Sequence, residues 1–82
     1  MTADEMFKDL GYKKVVEDRR IIIYKKIRHF TTFEIKDGLL FYKIDKQISL
    51  KSYNLTDNIG IDFGLNMQEL QAINQKVKEL GW

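Results

Sequence analysis

The sequence predicts an α+β fold: an antiparallel meander of four to five strands with an N-terminal and a C-terminal helix packed on one face. Three observations lead there. Apolar residues recur at helical spacing only near the two ends of the chain. The middle alternates with period two. The strand candidates are joined by links too short for parallel crossovers, which favours antiparallel neighbours. The 82 residues suffice for one domain, 1–82, with a small core.

The first helix is marked by Thr2 with Glu5 three residues on, a capping box in which hydroxyl and carboxylate each satisfy a free backbone N–H. Asp4 and Glu5 suit the positive end of the helix dipole. Met6, Phe7 and Leu10 make its apolar stripe, Gly11 stops it, and Tyr12 is placed to fold back onto Phe7. Strands are expected at 13–17, 20–27, 31–36, 39–44 and 48–53. Asp37-Gly38 reads as a two-residue hairpin turn. That turn sets Ile35 opposite Leu40, Phe33 opposite Tyr42 and Thr31 opposite Ile44, and these six define the expected core face. A three-residue loop, Asp45-Lys46-Gln47, then brings Ile48 opposite Ile44 and Leu50 opposite Tyr42. Residues 15–27 carry too many consecutive apolar side chains for a face to be assigned. Residues 54–58 read as a polar turn, 59–63 as a short edge strand, and Gly64 leads into the last helix. That helix repeats the grammar of the first. Asn66 caps it with Glu69 three residues on, Met67, Leu70, Ile73, Val77 and Leu80 share a face, and Gly81 ends it with Trp82 folding back onto Val77.

Composition excludes several functions. There is no cysteine, hence no disulfide, thiolate zinc site or cysteine nucleophile, in keeping with a reducing compartment. No apolar run approaches the ~20 residues of a membrane span. The opening Met1-Thr2-Ala3-Asp4-Glu5 does not read as a secretory signal. A cytoplasmic protein, without membrane contact, is expected.

No catalytic or cofactor motif stands out. His29 is the single histidine, and Ser49 or Ser52 would have to serve as its nucleophile, yet no nucleophile elbow surrounds any of them. Glu17-Asp18 and the pair Asp57 and Asp62 lack the spacing of a calcium loop. Gly60 and Gly64 lack the lysine and hydroxyl of a phosphate loop. The expectation is a non-enzyme with no cofactor and no metal.

Charge is unevenly spread. Residues 1–12 carry Lys8 against Asp4, Glu5 and Asp9, a net of −2. Residues 13–30 carry Lys13, Lys14, Arg19, Arg20, Lys25, Lys26 and Arg28 against Glu17 and Asp18, a net of +5. These seven are the candidate nucleic-acid contacts, with Tyr24, Phe30 and Phe41 as candidate stacking residues. The start of the last helix, Asn66-Met67-Gln68-Glu69, has none of the lysines that double-stranded-RNA-binding domains place there, and the signature of the four-stranded RNA-binding fold is missing. Basic residues also occur on small sheets merely to discourage edge pairing. The expected turn points Leu39 and Phe41 away from the core, opposite Lys36 and Glu34. They join Ile22 and Tyr24 as a candidate interface with a protein partner or with a second copy as a homodimer. On this reading Phe41→Asp breaks an association without unfolding the chain. Protein association is the expected function, with nucleic-acid binding by the 13–30 segment as the alternative.

The ends carry a resemblance. Ala3-Asp4-Glu5-Met6-Phe7, Leu10-Gly11-Tyr12 and Met67-Gln68-Glu69-Leu70-Gln71-Ala72-Ile73-Asn74, continuing to Leu80-Gly81-Trp82, resemble small hypothetical proteins of phages and prophages of Gram-positive bacteria. The matching residues are caps, stripes and latches, so the resemblance implies a phage setting and assigns no site.

Overall fold

The computed structural model describes all 82 residues. Its elements are α1 (Ala3–Asp9), β1 (Lys13–Glu17), β2 (Ile21–His29), β3 (Glu34–Tyr42), β4 (Gln47–Asn54), β5 (Ile59–Ile61) and α2 (Met67–Leu80). The strands pair antiparallel in the order β1-β2-β3-β4-β5. Both helices lie on one side of this sheet, as expected, and their side chains share a core with β2 and β3.

Both helices are capped at both ends, which matters for α1 because seven residues do not hold a helix alone. Thr2 with Glu5, and Asn66 with Glu69, form the two capping boxes. At the other ends Gly11 and Gly81 take positive φ, 91° and 73°. Tyr12 and Trp82 then donate back to the carbonyls of Phe7 and Val77 at 2.9 and 3.1 Å. The two aromatic latches continue into the core. Phe7 stacks on Tyr24 with centroids 4.3 Å apart, Tyr12 meets Phe7 edge-on, and Phe41 lies between Tyr24 and Trp82. Glu79 of α2 accepts from the Ala3 N–H, tying the start of α1 to the end of α2.

The middle of the chain departs from expectation. Asp37-Gly38 is no turn: both residues lie inside β3, a single nine-residue strand that replaces the expected 31–36 and 39–44. Gly38 does not take positive φ. Asp37 is buried because its carboxylate accepts from Arg28 of β2 (2.7 and 3.0 Å) and from Ser52 of β4 (2.5 Å). Partners on both neighbouring strands hold this turn-prone residue in the ladder. The turn falls instead at Phe30-Thr31-Thr32-Phe33, closed by the Phe30 N–H to Phe33 O bond at 2.9 Å and by stacking of the two rings. The next link also differs. Residues 43–46 form a four-residue loop with Lys46 at φ 54°, in place of Asp45-Lys46-Gln47, so Ile48 faces Phe41 and Leu50 faces Leu39.

Moving the turn reverses the faces of residues 39–42, since side chains alternate along a strand, while Ile35 and Lys36 keep the faces expected of them. Ile35, Asp37, Leu39 and Phe41 point at the helices, and Leu40 and Tyr42 point away. Leu39 and Phe41 are 0% exposed, and Ile22 and Tyr24 are 1% exposed. All four candidate interface residues are therefore core residues, and the candidate protein interface built on them does not exist as a surface.

Candidate functional site

The two faces of the sheet treat charge differently. On the helix side, Tyr12 donates to Glu69, which also meets Lys26 at 3.5 Å. Asp4 accepts from Tyr24 at 2.5 Å and from Lys14 at 2.8 Å, with Lys76 at 3.5 Å. Arg28 and Ser52 hold Asp37. Every buried side-chain nitrogen and oxygen has a partner. Burial alone would raise Asp4, but the hydrogen bonds from Lys14 and Tyr24 and the charges of Lys76 and Lys14 outweigh it and hold the carboxyl down at about 2. Burial, and then the carboxylates that accept from them, push Tyr12 and Tyr24 upward.

The open side is formed by the alternate positions. Register places Lys13 opposite Lys25, Lys25 opposite Gly38 and Gly38 opposite Lys51, a row crossing β1 to β4. At ~4.8 Å per strand the row is about 14 Å long. Lys36 stands two residues along β3, beside Ile27 and Tyr53. None of these four lysines makes an ion pair. The proximity of the Lys36 ammonium, first, and then burial lower Lys25 below the ordinary lysine value. Like charges set this close across strands destabilise a sheet. The one carboxylate that β2, β3 and β4 present on this side is Glu34, held by His29 at 2.7 Å at the far end. Beside the lysines runs an apolar row, Val16, Ile23 and Leu40, followed by Ile21 and Tyr42.

The seven candidate basic residues are thus divided. Lys13 and Lys25 stand on the open face. Lys14, Lys26 and Arg28 turn to the helix side and are paired there. Arg19 and Arg20 belong to the β1–β2 turn, where Asp18 accepts from the Arg20 and Ile21 N–H groups. Of the candidate stacking residues, Tyr24 and Phe41 are buried and Phe30 is half exposed against Phe33. His29 is not brought to a serine: Ser52 lies buried on the opposite face, bonded to Asp37. No group of three histidine, aspartate or glutamate side chains is arranged to hold a metal ion. No helix is long and apolar enough to cross a membrane.

Lys36, Gly38, Lys51 and Tyr53 are members of the open face that sequence reasoning did not single out. The turn placed at Asp37-Gly38 hid Gly38 and set the outward Lys36 opposite Leu39 instead of between Ile27 and Tyr53. Read as one strand, residues 34–42 put Lys36 and Gly38 on one side by simple alternation. No family model, curated protein or solved structure matches the chain.

Proposed function

We propose that the protein is a non-enzymatic accessory protein, of the phage or prophage setting that its ends resemble, acting in the host cytoplasm by binding nucleic acid on the open face of its sheet. The observation that supports this reading is the unpaired lysine row. Lys25 and Lys36 sit at the centre of the face, on interior strands, where protection of an edge gives no reason for them. Their mutual repulsion is relieved by an anionic partner. A net charge of +2 is small for a nucleic-acid binder, but on this face four unpaired lysines stand together with no carboxylate among them.

Fluorescence anisotropy with labelled DNA and RNA strands at low ionic strength tests this. Four lysines engaging four phosphates give a slope of log K on log salt of roughly −3, from about −0.7 per phosphate for single strands. Joint replacement of Lys25 and Lys36 by glutamate should roughly halve the slope and weaken binding. Absence of binding at low salt removes the proposal.

Protein association is a second reading, favoured by the row Val16, Ile23 and Leu40 with Ile21 and Tyr42. Its partner is acidic where it meets the lysines, and face-to-face pairing of two copies would set lysine rows against each other. Light scattering on wild type and Ile23→Glu over a range of concentrations reads self-association.

A further inference from the structure

Gly38 lies in the middle strand of five, and nothing in its backbone requires glycine. Its φ is not positive. A Cβ there would meet Leu40 Cδ1 at 3.6 Å and the Lys51 carbonyl oxygen at 4.0 Å, which are ordinary contacts. A glycine inside a central strand weakens the sheet, and it commonly marks a place where a ligand approaches the backbone. The missing side chain opens a depression of about 250 Å³ lined by Ile23, Leu40, Tyr53, Lys25, Lys36 and Lys51. This is below the ~300–1,000 Å³ of typical small-molecule sites. Its size suits one flat ring, and its rim is cationic.

The geometry points to a seat for one nucleotide of a single strand: its base enters the depression over Gly38, against Tyr53 and Leu40, and its flanking phosphates take Lys25, Lys36 and Lys51. The seat rests on the reading that the open face binds nucleic acid. It deepens that reading by choosing single strands. A duplex keeps its bases stacked inside and offers the lysines only phosphates, whereas an unpaired strand offers both charge and a free aromatic face. Tyr53 is 41% exposed and lies beside Lys36, so stacking and phosphate contact fall within one nucleotide's reach.

The test compares three fluorescein-labelled probes by anisotropy: a short single strand, a strand of the same length made of abasic sites, and the corresponding duplex. The wild type should bind the single strand roughly tenfold more tightly than either other probe, in line with the contribution of one stacked base. Gly38→Val fills the depression with a strand-favouring residue, and Gly38→Ala does so with a single carbon that meets only ordinary contacts. Both should melt no lower than wild type. Gly38→Val, and independently Tyr53→Ser, should bring the single strand down to the abasic strand's affinity and leave the salt slope unchanged, with a smaller loss for Gly38→Ala. Equal binding of single and abasic strands by wild type overturns the seat, as does wild-type affinity of the glycine variants for the single strand. In either case the lysine reading survives through the abasic strand's salt-dependent binding. Failure of all three probes at low salt overturns both. Polyglutamate of equal charge binding as tightly as the single strand also overturns both, in favour of an acidic protein surface.

Discussion

The same three central strands present two chemically opposite faces. Toward the helices they carry Ile22, Tyr24, Leu39 and Phe41 together with Lys26, Arg28 and Asp37, and each of these charges has an oppositely charged partner. Toward solvent they carry Lys25 and Lys36, joined by Lys13 and Lys51, and none has one. The difference follows from solvation. A charge that loses water must be paired, or the fold loses stability. A charge that keeps its water carries no such requirement, so four lysines can stand together at modest cost. The covered face is therefore where substitution should damage folding, and the open face is where substitution should damage binding.

Phe41→Asp should break that division most completely. It places an unpaired carboxylate among Phe7, Tyr24 and Trp82, which are Phe41's aromatic neighbours. The cost should exceed about 4 kcal/mol and abolish cooperative melting by circular dichroism. A folded Phe41→Asp variant would show that the faces are assigned the wrong way round. Asp37→Ala comes next. It strands Arg28 and the Ser52 hydroxyl, and should cost about 2–3 kcal/mol in urea unfolding, at the low end for a broken pair because Arg28 is partly in water.

Asp4 gives a pH signature to the covered side. Its carboxyl is held at about 2 in the fold, against 3.8 for the free group. A depressed pKa adds stability that is fully present above about pH 4 and is lost as pH falls toward 2. Wild type should exceed Asp4→Asn by on the order of 1 kcal/mol at neutral pH, a figure reduced for the exposure of the pair to solvent. The two should draw together as pH falls through 2 in urea titrations, with the gap closing below it. A gap undiminished below pH 2 would assign the difference to packing.

Lys36→Glu should show the smallest stability change, and of opposite sign. Removing the repulsion on Lys25 and giving it a carboxylate neighbour should raise stability by a few tenths of a kcal/mol while weakening oligonucleotide binding. Destabilisation together with unchanged binding would erase the contrast between the faces.

The ends of the chain were legible because their signals are local. Thr2 with Glu5, Asn66 with Glu69, Gly11 before Tyr12 and Gly81 before Trp82 each act within one or two turns of helix, and the structure keeps every one. The 13–17 strand and the antiparallel order were legible for the same reason. The Asp37-Gly38 signal was equally local, and it lost to Arg28 and Ser52, which lie nine and fifteen residues away in the chain. That single displacement carried Leu39 and Phe41 from the expected surface into the core and brought Gly38 into the strand opposite Lys25, on the face where Lys36 was already expected.

By itself, then, the sequence determined the two capped amphipathic helices, the period-two middle and their assembly as lids on one side of an antiparallel sheet. Hydrogen bonds over a few residues and apolar periodicity specify all of these. Only the tertiary structure decided which side of residues 39–42 faces the lids. A side-chain period of two makes the faces depend on where one turn falls, and that turn is placed by an ion pair and a hydroxyl reaching in from the two neighbouring strands.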